Sequence, residues 1–411
     1  MAEYFDDLET RAPEARAAAQ FQSLTPFIKD VISKSEGWAK HLEGAPIDDV
    51  SSPEALAALP VLRKPELMVH QAEQPPLGGF AIPGSYQGGR LFMSPGPVYE
   101  PQGKNADPWR AARAMFAAGF RAGDVVQNCF SYHLTPGGFI MDEGARALGC
   151  VVVPAGVGNT DQQVDMISAL KPAAYCGTPD FLKVLLDKAE ELGRDASSIQ
   201  KALVSGGALF PSLREDYAKR GVSVLQCYAT ADAGIIAYES EAQDGMIVDE
   251  GVILEIVRPG TDIPVAAGDV GEIVVTVFHP VYPLIRFGTG DLSAILPGES
   301  PCGRTNTRIK GWMGRADQRT KVKGMFVDPK QVQTVIDRFP QVKRARLIVG
   351  REAEQDTMTL MIEAVENGED LAEEVGHALK DITKLSGAVT VTAPGSLPND
   401  GKVIADERHY E

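Results

Sequence analysis

The sequence predicts an α/β protein: a large N-terminal domain with mostly parallel sheets and a β-rich subdomain, then a small α+β C-terminal domain. Three observations carry this. A chain of 411 residues exceeds one ordinary domain and can bury a substantial core. Between residues 123 and 227, short apolar runs alternate with helical patterns, as parallel strands covered on both faces do. After Gly311 a second, independent alternation begins, of ordinary domain size.

The elements follow in chain order. Residues 13–20, 24–35 and 53–59 repeat apolar positions at helical spacing, and Pro13 suits a first helical position. Residues 74–103 are crowded with Pro and Gly, which predicts turns and loops. Strands are then expected at 124–129, 150–154, 173–176, 201–204 and 222–227, separated by helices at 137–148, 162–170, 179–192 and 211–220. Ligands of such sheets sit beyond the carboxyl ends of the strands, so the loops at 130–138, 177–179, 205–209 and 229–234 should converge on one cleft. Residues 246–296 turn strand-rich. The C-terminal alternation gives a strand at 321–327, a helix at 329–338, strands at 345–349 and 358–364, a helix at 370–385 and a strand at 388–392. The predicted division is residues 1–314 and 315–411.

Composition narrows the function. Apolar residues make up 44% and charged residues 23%, a globular balance. The net charge of −16, spread along the chain, argues against nucleic-acid or anionic-membrane partners. The N-terminus lacks a basic start and an apolar run, and no stretch of about 18 apolar residues occurs, so a cytoplasmic protein handling small molecules is expected. The five cysteines are scattered and odd in number, without a Cys-x-x-Cys pair, and read as packing residues. No strand is followed by Gly-x-Gly-x-x-Gly, which disfavours a nicotinamide dehydrogenase.

Asp291 follows a Thr-Gly turn at the end of an apolar strand, where a carboxylate can accept both hydroxyls of a ribose or merely cap the turn. His133 lies in the predicted cleft without a second residue to make it part of a triad. By itself Lys402 reads as a solvated surface charge.

Five segments in this order alter the odds: Ser-Gly-Gly-Ala-Leu (205–209), Cys-Tyr-Ala-Thr-Ala-Asp (227–232), Tyr-Pro-Leu-Ile-Arg-Phe-Gly-Thr-Gly-Asp-Leu (282–292), the run from Gly314 to Pro329, and Leu-Pro-Asn-Asp-Gly-Lys-Val (397–403). Together they resemble the adenylate-forming superfamily of acyl-CoA synthetases, aryl acid ligases and luciferases. Residues 4–11, 59–64, 75–79 and 301–308 resemble its phenylacetate-CoA ligase branch in particular.

The resemblance implies a reaction. A carboxylic acid attacks the α-phosphate of ATP to give an acyl-adenylate and pyrophosphate, and the thiol of coenzyme A then displaces AMP. It implies an acyl- and adenylate-binding domain at 1–314 and a mobile lid at 315–411. Asp291 would hold the ribose, Tyr228 would lie against the adenine with Ala229 and Thr230 beside it, and Gly206, Gly207 and Ala208 would pass along the adenine edge. Arg315 would reach ribose or phosphate, Asp317 would be the hinge, and Lys402 would neutralise charge between the carboxylate and the α-phosphate. Asp232 stands where the family has a glutamate near Mg²⁺; its shorter reach implies contact through water. Tyr132, His133, Gly137, Gly138, Phe139 and Ile235 would build the acyl pocket for an aromatic or related acid.

The departures are as informative. The family's phosphate loop reads Ser-Ser/Thr-Gly-Thr-Thr-Gly-Lys-Pro. Here residues 92–101 keep Ser94, Gly96 and Pro101, while Pro95 and Pro97 delete amide donors and Glu100 puts a negative charge where a positive one belongs. Ala229 replaces a Gly, and Ala231 a Ser or Thr. Two rival readings stay open: a protein on this scaffold that binds a nucleotide, acyl-CoA or aromatic acid without adenylating it, and an adenylating enzyme with another acceptor. The sequence leaves the acid unspecified and the assembly open, a homodimer among the options.

Overall fold

The computed structural model describes residues 3–316, 318, 320–322, 325–352, 355–365 and 369–408. The chain divides into two compact units. The first comprises Met1–Leu254, Val274–Thr289 and Leu296–Gly311, and the second Glu255–Ile273, Gly290–Ile295 and Trp312–Glu411.

The principal sheet begins with five parallel strands in the spatial order Val151–Pro154, Val125–Asn128, Ala174–Gly177, Lys201–Val204 and Ser223–Thr230. It continues antiparallel through Gly234–Tyr238, Met246–Val248 and Arg308–Ile309. The apolar runs have a direct cause. Ala174, Cys176, Leu203 and Leu225 pack on one face with Met115, Ile140 and Ala145. Their neighbours Tyr175, Ala202, Val204 and Val224 pack on the other with Val164, Leu182, Leu185 and Tyr217. Both pleat faces are dry, so both must be apolar, and each fully buried aliphatic side chain contributes about 1.5–3 kcal/mol. A second sheet has the order Leu62–Arg63, Leu284–Ser293, Gly271–Val277 and Val252–Val257.

In the second unit the order is Ala388–Thr392, Gln355–Ala364, Val342–Glu352 and Ile404–Asp406, antiparallel at the centre and parallel at both outer pairs. Helices Pro329–Ile336 and Glu369–Thr383 bury Val332, Val335, Leu371, Val375 and Leu379 in its core. Pro329 opens the first helix behind a capping box made by Asp328 and Gln331. The strand Ile404–Asp406 is an addition to the elements expected from sequence.

Two local expectations are corrected. The first two helices are one, Pro13–Lys34, which runs through Pro26. Interior proline costs about 3 kcal/mol, but Leu24, Ile28 and Val31, buried on both sides of it, hold the helix to the core. Within the Pro- and Gly-rich stretch, Arg90–Ser94 and Val98–Gln102 form an antiparallel hairpin. A two-stranded ribbon tolerates Pro101 because both its strands are edges. Among the described residues no helix is long and apolar enough to cross a membrane.

Charge also ties the N-terminal helix down. Glu250, 7% exposed, accepts Arg11 Nη2 at 2.8 Å, Arg16 Nε at 2.9 Å and Asn306 Nδ2 at 2.9 Å. Removing one partner of a buried pair strands the others, so Glu250→Ala should destabilise the protein by about 3–5 kcal/mol in chemical denaturation. A loss below about 1 kcal/mol would mean that water solvates both arginines.

Candidate active site

At the carboxyl ends of the parallel strands the loops enclose a cavity of about 590 Å³. Phe130, Gly137, Ile140, Met141 and Phe181 supply an apolar wall, while Ser94, Thr178, Ser205, Gly206, Ala229 and Thr230 supply small and hydroxylated ones. The loops expected to converge therefore do so. Gly206 sits at φ +73°, a left-handed conformation that glycine adopts without strain. A Cβ on Gly138 would stand 2.8 Å from the Ser131 carbonyl and from the Tyr132 ring, so only glycine lets the helix Gly137–Ala147 start under that loop. Cys129 also lines the cavity, but burial pushes its thiol up to about 12, which makes it wall rather than nucleophile.

Other expected residues stand behind the wall. Tyr132 accepts from Asn128 at 2.7 Å and donates to Asp142 at 2.9 Å, and Phe139 packs between Tyr132, edge to face, and Phe92, tilted, with centroids at 5.2 and 5.3 Å. Tyr228 and Ile235 are buried in their strands, whereas Gly207 and Ala208 are exposed on the loop beyond Lys201–Val204. His133 is exposed and is not among the residues lining the cavity. Gly96 lies exposed at the hairpin turn.

The altered phosphate loop is the tip of that hairpin. The pleat turns Ser94, Val98 and Glu100 inward and Tyr99 outward. Glu100 is hydrogen-bonded to the Ser94 hydroxyl, and its other oxygen is buried without a hydrogen-bond partner. Burial, and then the charge of Asp232, push the Glu100 carboxyl up to about 8, against the opposing pull of Ser94 and Lys64. Lys64 reaches Asp232 Oδ2 at 2.7 Å from the first position of the helix Lys64–Glu73. The loop's carboxyl is thus pushed toward its neutral form, and a cation is supplied beside it from a segment far away in sequence.

Asp232 thus spends its charge on Lys64. Among the described residues no group of three or more His, Cys, Asp or Glu is arranged to hold a metal ion.

In the second unit, Asp291 Oδ1 accepts both Arg315 Nη1 and Trp312 Nε1 at 3.0 Å. Asp291 and Arg315 also form a backbone bridge. Lys402 is exposed on a loop fastened at Gly401 by Gln318, 2.7 Å away, and at Asp400 by Arg346, also at 2.7 Å. Asp317 lies outside the described residues.

The comparisons with known proteins fall on this architecture. The model of the AMP-binding enzymes matches residues 110–277, and that of the AMP-binding enzyme C-terminal domain matches residues 324–408, together more than half of the chain. The chain belongs to the AMP-binding enzymes. Among AMP-binding enzymes it is similar to the phenylacetate-coenzyme A ligase of Aromatoleum evansii, 28% identical over 99% of this chain and 98% of the relative. It is also similar to that of Escherichia coli K12, 27% identical over 97% and 95%. Its fold matches 2-hydroxyisobutyryl-CoA ligase in the postadenylation state with R3-HIB-AMP, at TM-score 0.72 and 23% identity over 97% of this chain and 91% of that one.

Sequence reasoning missed Lys64 and Trp312. Lys64 had only a place in a family-like segment, and nothing local announces its partner Asp232. The neutral state of Glu100 can be tested by Glu100→Gln. A carboxyl whose folded pKa is raised from 4.5 to about 8 contributes stability that is complete below 4.5 and lost as pH climbs through 8. The amide of the variant cannot ionise, so Glu100→Gln should match wild type near pH 5 and become progressively more stable than it up to pH 9 in denaturant titrations. Parallel stability curves for the two proteins over that range would show that Glu100 is ionised throughout.

Proposed function

We propose that this AMP-binding enzyme is an AMP-forming ligase that activates an aromatic or related carboxylic acid with ATP and passes the acyl group to coenzyme A. One observation carries the reading: a single cavity at the carboxyl ends of the parallel strands joins an apolar aromatic wall, suited to a flat acid, to the small-residue loops at 205–206 and 229–231. The relatives that match almost end to end are named for the same chemistry.

On this reading a carboxylate oxygen attacks the α-phosphorus and pyrophosphate leaves; the thiolate then attacks the acyl carbon and AMP leaves. Asp291 accepts the ribose hydroxyls, held in place by Trp312 and Arg315. Tyr228, Ala229, Thr230 and residues 206–208 border the adenine. Lys402 neutralises charge at the α-phosphate, carried by a lid at 315–411 that turns about Asp317. Magnesium comes with the triphosphate as part of the substrate, and Asp232 meets it only through water. The protein works in the cytoplasm on small molecules, without a nucleic-acid or membrane partner.

The hairpin favours a second reading. Ser94 is committed to Glu100, and Pro95 and Pro97 offer no amide donors, which suits a protein that binds an adenylate or acyl-CoA without making it. Pyrophosphate release over a panel of aryl, arylacetic and aliphatic acids, with and without coenzyme A, separates the two: acid-dependent release supports the ligase, and none across the panel supports the binder.

Asp291→Ala should weaken AMP binding by about 10- to 1000-fold in calorimetry, because a hydrogen bond to a charged group contributes about 1.5–3 kcal/mol and the carboxylate accepts two. Unchanged affinity would remove Asp291 from the nucleotide site. Lys402→Ala should cut acyl-adenylate formation by about 100- to 1000-fold while sparing thioester formation from supplied acyl-adenylate. Equal losses in both half-reactions would make Lys402 a general binding or structural residue.

A further inference from the structure

The second unit contains a cavity of its own, of about 230 Å³, unlike the first in its charge. Arg258, Lys343, Arg344 and Lys402 line it, against one carboxylate, Asp269. Asp269 is itself engaged by the Asn399 amide at 3.2 Å, and Asn399 Oδ1 accepts the Val270 N–H at 3.2 Å, so the floor is fixed. Arg344 is aimed by its bonds to the carbonyls of Leu397 at 3.3 Å and Pro398 at 2.9 Å, and its ion pair with Glu363 is long, at 4.0 Å. In a chain of net charge −16, four cations gather around one small cavity that a single carboxylate lines with them, while Asp400 lies beside Lys402 and Glu363 stands 4.0 Å from Arg344 at its edge. Such a site is completed by a compact polyanion, and guanidinium and ammonium groups together favour phosphate oxygens. The cavity of the first unit has no cation among its lining residues.

We propose that the Arg258–Lys343–Arg344 cavity seats a diphosphate group, and that coenzyme A is the ligand that brings it. The diphosphate lies between the cations, with Pro259, Pro264 and Val403 as its apolar border. The choice of coenzyme A rests on the ligase reading above; the presence of a diphosphate seat does not. Free pyrophosphate carries the same chemistry and is the alternative source.

The test uses the full-length chain and the Arg258→Ala/Lys343→Ala double variant, with Arg258→Gln/Lys343→Gln as a second pair should the first melt early. Calorimetry would measure coenzyme A, inorganic pyrophosphate and pantetheine, which lacks the phosphates. Coenzyme A should bind the variants about 10- to 100-fold more weakly, the loss should shrink at high salt, and pantetheine should bind both proteins alike. Weakened binding of pyrophosphate with coenzyme A unaffected would overturn the assignment to coenzyme A. Unaltered binding of both would remove the seat altogether. Because these are binding measurements, they stand even if wild type forms no thioester, an outcome that would sink the ligase reading alone.

Discussion

Lys64, Asp232 and Glu100 place three ionisable groups in a space with little water, and the first unit is organised around satisfying them. Two carboxylates beside each other with one lysine cannot both keep their charge cheaply when buried; holding a proton on Glu100 leaves one anion for one cation. The solution ties together a helix start, a hairpin and the loop after the fifth parallel strand. It also adds a polar anchor to the Pro- and Gly-rich hairpin, whose Phe92 and Val98 are already buried.

The parallel sheet was legible because its cause is simple: strands dry on both faces are apolar at most positions, and helices must intervene to carry the chain back. Asp291 was singled out by its Thr-Gly dipeptide together with its company, but it lies within the strand Leu284–Ser293 and not after a turn. What escaped was whatever depended on distant partners. The charge of Glu100 looked like an obstacle because sequence shows the residue type and not the proton, and the proton depends on Asp232 and burial. The helix expected to stop at residue 20 and restart at 24 runs on because Leu24, Ile28 and Val31 share a buried face on both sides of Pro26, a packing partner that local periodicity does not show. Pro101 and the Gly-Pro turn concealed a hairpin that no alternating apolar pattern advertised.

Polarity is divided sharply between the two units. The first offers its cavity apolar carbon, hydroxyls, small residues and a single exposed carboxylate, Asp180; the second holds arginines and lysines around its own.

The indole on Asp291 gives the molecule a built-in optical reporter. The chain has three tryptophans. Trp38 and Trp109 are 0% and 4% exposed, whereas Trp312 is 53% exposed with its ring N–H on the carboxylate oxygen. The two interior rings emit from dry, fixed surroundings and supply a steady blue background. The red-shifted remainder of the spectrum comes from a single ring whose hydrogen-bond acceptor is the carboxylate expected to hold the ribose, so occupancy there can be followed in unlabelled protein by emission wavelength alone.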